Sequence, residues 1–245
     1  MHSIEISAIV FVCIFGAGLL GMLLRSALPD HHLASDSKDA VKVGMGLVGT
    51  MAALVLGLLV ASAKGNYDSQ GASLTQLAAN VVMLDRILAH YGPETKETRE
   101  LIRRGVSGFI EIWSKTGSVP DPGGNEMLYE KIQELSPKDD RQRALQAQAL
   151  SIAMSTGQAR WLMYEQGIAS VSMPLLVVLV LWLSLILGSF GLFAPANGTV
   201  IASLCVCALS VSAAVFLILE MYSPFSGMIR LSSAPLQAAL AHLGQ

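Results

Sequence analysis

The sequence predicts an all-α membrane protein, with four transmembrane helices and a helical domain inserted between the second and the third. Three observations carry this. The 245 residues are 53% hydrophobic and only 14% charged, against about 25% charged in soluble domains. Four apolar runs reach the roughly 17–25 residues that a spanning helix needs. Between the second and third runs lies a charged stretch with helical periodicity and no strand pattern of any length.

The first run is Ile4–Leu24, IEISAIVFVCIFGAGLLGMLL. A signal peptide would open on Lys or Arg and end at a small-residue cleavage site. This run opens on Glu5 and no such site follows, so a retained span is expected. The collar Arg25–Lys42 comes next. Asp36 or Ser35 suits the cap of the following helix, with Asp39 in its first turn. Lys38 and Lys42 sit four residues apart, a spacing that repels weakly, and Asp39 between them offsets it. Asp30, His31 and His32 are left over from capping. They fit a solvated loop, or a metal site that adjacent histidines, pointing different ways on a helix, serve poorly.

The second run, Val43–Ala63, carries no charge. The third, Leu175–Phe193, opens behind Pro174, and the fourth is Val200–Leu219. Four spans place both termini on one side, with the collar and the Ala194–Thr199 turn on the other. Charge does not orient them. The segment Lys64–Met173 holds 12 of the 16 basic residues but also 13 of the 18 acidic ones, and long loops weigh little in the positive-inside rule. Near the span ends Lys64, Arg160 and Arg230 balance Arg25, Lys38 and Lys42.

Within the inserted segment, Leu74, Leu77, Val81, Leu84, Leu88 and Tyr91 recur at the helical period. Gly92 stops that helix and Pro93 starts the next. The next is expected to bury Leu101, Ile102, Phe109, Ile112 and Trp113. A turn at PDPGG and a short helix around Met127–Leu135 follow. In SPKDD, Ser136 is the expected cap, Pro137 the first helical residue, and Asp139 and Asp140 complement the helix dipole. That helix runs to Gly167 or beyond. After the last span, SPFSG is a turn, MIRL an extended piece, and Leu236, Leu240 and Leu243 an apolar stripe behind the Ser–Ser–Ala–Pro start signal.

Several function classes drop out. The net charge of −2 offers no basic surplus for nucleic acid. Cys13, Cys205 and Cys207 all fall inside apolar runs and serve as small packing residues. No phosphate-binding loop, nucleophile elbow, zinc-protease or dinucleotide motif is present, so no enzyme, cofactor or metal is expected. Glu5 and Glu220 are the only ionisable residues within the spans, both near ends, whereas ion-coupled carriers hold acids near mid-membrane. On the fourth span Ser203, Cys207, Ser210 and Glu220 fall roughly on one side, which suits hydrogen bonding between helices.

The second span is segregated by size. On a helical wheel Gly46, Gly49, Thr50, Ala53, Gly57 and Ala61 share a stripe with Asp39, Lys42 and Lys64. Leu47, Val48, Met51, Leu54, Val55, Leu58 and Leu59 lie opposite. Small residues every four positions let helices approach closely in lipid, and the same stripe suits a pore lining. Both remain open on the residues alone.

Two stretches carry a resemblance. DHHLASDSKDAVKVGMGLVGTMAALVLGLLVASAKGNYD and PFSGMIRLSSAPLQAAL (Pro224–Leu240) resemble signatures of the bestrophin-like family of bacterial membrane proteins, and the span layout is similar over nearly the whole chain. That resemblance implies a multi-pass protein of the bacterial plasma (inner) membrane with both termini cytoplasmic. It implies spans one and two in 1–63, an extracytoplasmic collar at 25–42, a cytoplasmic helical domain at 64–173, spans three and four in 174–219, and an ordered cytoplasmic tail at 220–245. Bestrophins are pentameric anion channels; no filter motif is matched here, so ion type is not implied. The expectation is a homo-oligomeric, pentameric ion channel whose partners are its own copies, membrane lipids and a permeating inorganic ion. Gly46, Gly49, Thr50, Ala53, Gly57 and Ala61 would line the pore. Asp36, Lys38, Asp39 and Lys42 would form its mouth, and Lys64, Glu220 and Arg230 its exit. The alternative is a non-conducting scaffold or regulator acting through the helical bundle; a small-solute transporter would call for internal repeats, and none is found.

Overall fold

Long apolar runs without proline or charge leave the backbone in lipid one solution, the helix, which bonds every amide internally. The computed structural model describes residues 3–27, 35–121, 125–168 and 171–244, and every regular element among them is helical. In order they are α1 (Ser3–Ala27), α2 (Ser35–Tyr91), a 3₁₀ turn at Pro93–Thr95, α3 (Lys96–Thr116), α4 (Asn125–Gln133), α5 (Asp140–Ile168), α6 (Met173–Phe193), α7 (Gly198–Met221) and α8 (Ala234–His242). Helices α1, α2, α6 and α7 are the 4 that are long and apolar enough to cross a membrane. The chain divides into two compact units, Met1–Gly65 with Ser170–Tyr222 and Asn66–Ala169 with Ser223–Gln245. The 57-residue α2 gives its first part to one and its second part to the other.

In the membrane unit, α1 and α6 meet backbone to backbone. A Cβ on Gly21 would lie 2.0 Å from the Gly188 carbonyl oxygen, and one on Gly191 would lie 2.0 Å from that of Gly18. Gly188 faces the Ala17 carbonyl and Gly191 also faces the Met22 amide. Only glycine fits these crossings, because any side chain would occupy the space of the neighbouring peptide. Helix α7 closes the group. Its Ser212 hydroxyl donates to the Ser7 carbonyl in a buried bond, and Leu204 packs over Gly18. The bond between helices thus comes from Ser212, while Ser203, Cys207 and Ser210 are exposed and the Ser210 hydroxyl turns back to the Val206 carbonyl at 2.8 Å. Asn197 caps α7, its side-chain oxygen accepting the Val200 amide at 2.9 Å.

In the bundle unit, Leu74, Leu77, Val81, Leu84, Leu88 and Tyr91 are all buried. Gly92 ends α2 at φ 146°, a backbone region open to glycine. Gly117 ends α3 in the left-handed conformation, its amide bonded to the Trp113 carbonyl. The buried stripe of α3 is Ile102, Val106, Phe109 and Trp113. Ile112, expected inside, is exposed, and Leu101 is half-buried: the core-facing row advances by steps of four and three from Ile102, which passes over Ile112. The start of α5 also differs from expectation. Ser136 and Pro137 precede the helix, and Asp139 is the cap, accepting the Gln142 amide at 2.7 Å. Gln142 returns a bond to the Lys138 amide at 2.8 Å, a reciprocal arrangement that Ser136 has no equivalent to offer.

Residues 223–244 belong to this bundle. Phe225, Leu236, Ala239 and Leu243 enter its core, with Phe225 edge-on to Trp113 at 5.4 Å and its carbonyl accepting the indole N–H. Asp85, 1% exposed, takes both arms of Arg99 at 2.7 and 2.9 Å and the Gly244 amide at 3.2 Å. The Asp85 hydrogen bond holds the Arg99 guanidinium above the usual arginine range.

Gly21→Ala and Gly191→Ala should each destabilise the protein by about 1–3 kcal/mol, the range for forcing extra atoms into a packed contact. Gly16→Ala, whose Cβ meets nothing within 4 Å, should be neutral. Thermal midpoints of the three purified variants check this, and an unshifted midpoint for Gly191→Ala would remove the crossing as a structural determinant.

Candidate pore-lining face of the second span

Close packing of α1, α6 and α7 leaves α2 a narrow seat in the membrane unit. Among the described side chains of its first part, Ala52, Leu59 and Ala63 are the buried ones, flanked by Met45, Val48, Val55 and Leu56. Ser62 and Tyr222 join hydroxyls at 2.9 Å. Ala63 is fully buried, at 0% exposure.

The rest of the circumference divides in two. One exposed face is bulky: Val43, Leu47, Met51, Leu54 and Leu58, with Leu54 75% exposed. The other is small: Gly46, Thr50, Ala53, Gly57 and Ala61, all exposed. A Cβ at Gly46 or Gly57 would meet nothing within 4 Å. Gly49 borders the seat, where a Cβ would sit 3.9 Å from Ile186. The small-residue pattern of the second span therefore does not pack against this chain's other helices.

The small face carries little polarity. Thr50 donates its hydroxyl hydrogen to the Leu47 carbonyl at 2.7 Å, so it presents outward a methyl group and oxygen lone pairs. Lys42 and Lys64 stand at the two ends of the stripe, about 33 Å apart along a straight helix, close to the ~30 Å hydrocarbon thickness of a bilayer. Lys42 pairs with Asp39 at 3.1 Å, both well exposed; such a pair contributes little to stability, but it cancels charge at that end.

The remaining candidates fall as follows. Lys38 is partly exposed. Asp36 lies in the first turn of α2, its side chain outside the described set, as are Asp30, His31 and His32 altogether. Glu220 is 4% exposed within the membrane unit, packed inside rather than presented on a surface. Lys64 is exposed in the same unit, whereas Arg230 belongs to the bundle and donates from Nε to the Gly227 carbonyl at 2.7 Å. Among the described residues no group of three or more His, Cys, Asp or Glu could hold a metal.

Sequence reasoning missed Gly18, Gly21, Gly188 and Gly191, which bring the backbones of α1 and α6 into contact. The signal was present as a matched Gly-x-x-Gly in the first and third spans, Gly18-Leu-Leu-Gly21 and Gly188-Ser-Phe-Gly191.

A family model, the Bestrophin-like domain, matches residues 12–236. The chain belongs to the bestrophin-like family. The match takes in α2, α6 and α7 whole, most of α1 and the bundle up to the first turn of α8. No curated protein and no solved structure matches the chain. With its four apolar helices, this bestrophin-like chain is a multi-pass membrane protein.

Ala63→Leu should cost about 1–3 kcal/mol, since the new atoms enter a filled seat. Gly57→Leu should leave the chain's own fold intact, since its side chain enters open space. Near-native helicity and monomer fold by circular dichroism for Gly57→Leu, with a lowered thermal midpoint for Ala63→Leu, is the expected outcome.

Proposed function

We propose that this bestrophin-like chain assembles as a pentameric ring in the bacterial plasma membrane and conducts inorganic ions along a central path lined by the small face of α2. One observation carries the reading. A stripe of glycine, alanine and threonine from Gly46 to Ala61, about 23 Å long on a straight helix and bounded by Lys42 and Lys64, faces away from the chain's own helices, while the bulky face of the same helix is segregated from it. Small side chains facing acyl chains leave van der Waals contacts unmade. Around a symmetry axis the same residues let α2 copies crowd together and leave a narrow bore, as small-residue interfaces do in lipid.

In this reading Lys42 and Lys64 lie near the two openings, with Asp39 tempering the field at the first. The bore holds no ionised side chain between them, so passage depends on width and on the Thr50 oxygens rather than on a charged filter. The bundle and both termini lie in the cytoplasm.

Cysteine scanning tests the bore. In a background lacking Cys13, Cys205 and Cys207, cysteines at Ala53 and Gly57 should react with a charged thiol reagent and block flux in liposomes, while one at Ala52 should not. Gly57→Leu should abolish flux or shift the oligomer's size. Unblocked flux at Ala53 and Gly57, with normal flux and normal size for Gly57→Leu, would sink the pore assignment and favour a non-conducting scaffold.

Orientation has its own check. A cysteine at Gln158, on the exposed surface of α5, should be protected from a membrane-impermeant reagent in intact cells and label after lysis. Labelling in intact cells would place the bundle outside.

A further inference from the structure

The bundle unit contains a cavity of about 140 Å³ where α2, α3, α4, α5 and α8 converge. Leu77 and Val81 line it from α2, Ile102 and Phe109 from α3, and Leu236 from α8. Two polar side chains break this apolar wall, Thr156 and Arg160, one turn apart on α5. Gly105 forms part of the opening. It is exposed, and a Cβ there would meet nothing within 4 Å.

We propose that this cavity binds a small amphiphilic monocarboxylate, with its hydrocarbon part on the apolar wall and its carboxylate on Arg160. Size sets the first limit. An apolar void of roughly 150 Å³ stays dry and takes up a benzene-sized guest, so this one suits a chain or ring of about six to eight carbons. The polar inventory sets the second. The Thr156 hydroxyl donates to the Ile152 carbonyl at 2.7 Å, so its hydrogen is used within α5 and the ligand's head group falls to Arg160. Arg160 is a donor with a fixed positive charge. Among the described lining residues Arg160 is the one cation and none is acidic, and an anionic head on an apolar tail complements both parts. A neutral hydrocarbon would forgo the arginine, and a dianion or sugar would leave polar atoms against leucine and phenylalanine.

Arg160 is also restrained. Its Nη2 donates to the Asp121 backbone carbonyl at 3.1 Å, which holds the guanidinium at the rim. Burial pushes its pKa below the usual arginine range, and the Asp121 charge partly opposes that. A ligand carboxylate at this partly buried guanidinium would add a second negative charge beside that of Asp121 and compete with it.

The site is independent of conduction, so its test reads binding. The full chain in lipid nanodiscs is dialysed against radiolabelled octanoate or octanol, with empty nanodiscs subtracted. Octanoate should bind saturably at one per chain. Gly105→Leu, whose side chain fills the opening, should abolish binding of both probes. Arg160→Gln should weaken octanoate at least tenfold while octanol is retained, and Asp121→Asn should tighten octanoate. If Arg160→Gln loses octanol as well, its cavity has collapsed and Asp121→Asn decides: tighter octanoate supports the site, unchanged octanoate overturns it. No saturable octanoate binding, binding unaffected by Gly105→Leu, or equal octanoate affinity in Arg160→Gln with octanol retained would each overturn the proposal.

Discussion

The backbone contact between α1 and α6 governs the membrane unit. Lipid gives helices no hydrophobic reason to associate, since acyl chains are as apolar as leucine. Association depends on dispersion and on weak polar contacts that grow only when backbones come close. Gly18, Gly21, Gly188 and Gly191 permit that approach, and the Ser212 to Ser7 bond ties α7 to the same pair. Once these helices have closed on one another, what they leave for α2 is a narrow seat that Ala52, Leu59 and Ala63 fill. The exposure of α2's other two faces follows from that closure.

In the bundle, water restores the ordinary hydrophobic argument, and polar groups inside must find partners. Asp85 shows the satisfied case. It is removed from solvent yet accepts from Arg99 twice and from the Gly244 amide, so the segment following α8 is tied to the last two turns of α2 by a charge that cannot be left alone. Breaking such a pair by removing one partner typically costs about 3–5 kcal/mol. Gln70 shows the opposite case. At 0% exposure, neither of its amide atoms is hydrogen-bonded to any of the described residues.

Legibility in the sequence followed the kind of signal each element carries. The amphipathic stripe from Leu74 to Tyr91 and the stop at Gly92 and Pro93 could be read residue by residue, because polarity alternates there with the helical period. The spans were legible as lengths but not as faces. A uniformly apolar helix has no polar side to mark the outside, and packing is then written in side-chain size alone. Size revealed the small face of α2. It did not reveal that α1 and α6 had the tighter match, because a glycine pair means something only beside its partner and nothing in one run of sequence names that partner. Val106 in place of Ile112, and Asp139 in place of Ser136, were finer errors. Ile112 lies beside the buried Trp113 and Ser136 three residues before Asp139, so each candidate had the right chemistry close to the position that geometry uses.

The small face of α2 carries a cost that no contact among the described residues offsets. A glycine-rich stripe in a helix interior costs conformational entropy, roughly 0.5–1 kcal/mol per glycine relative to alanine. Gly46 and Gly57 return nothing for that cost within the chain, since no neighbour approaches them. The contrast with Gly21 and Gly191 is instructive, because there the same residue type is met by a carbonyl at a distance only glycine allows. If the two glycine sets obey the same physics, the second also awaits either a close backbone or a space that must stay open. A ring of identical chains supplies both at once: neighbouring α2 copies close enough to need small residues, and an axis between them where side chains would obstruct passage.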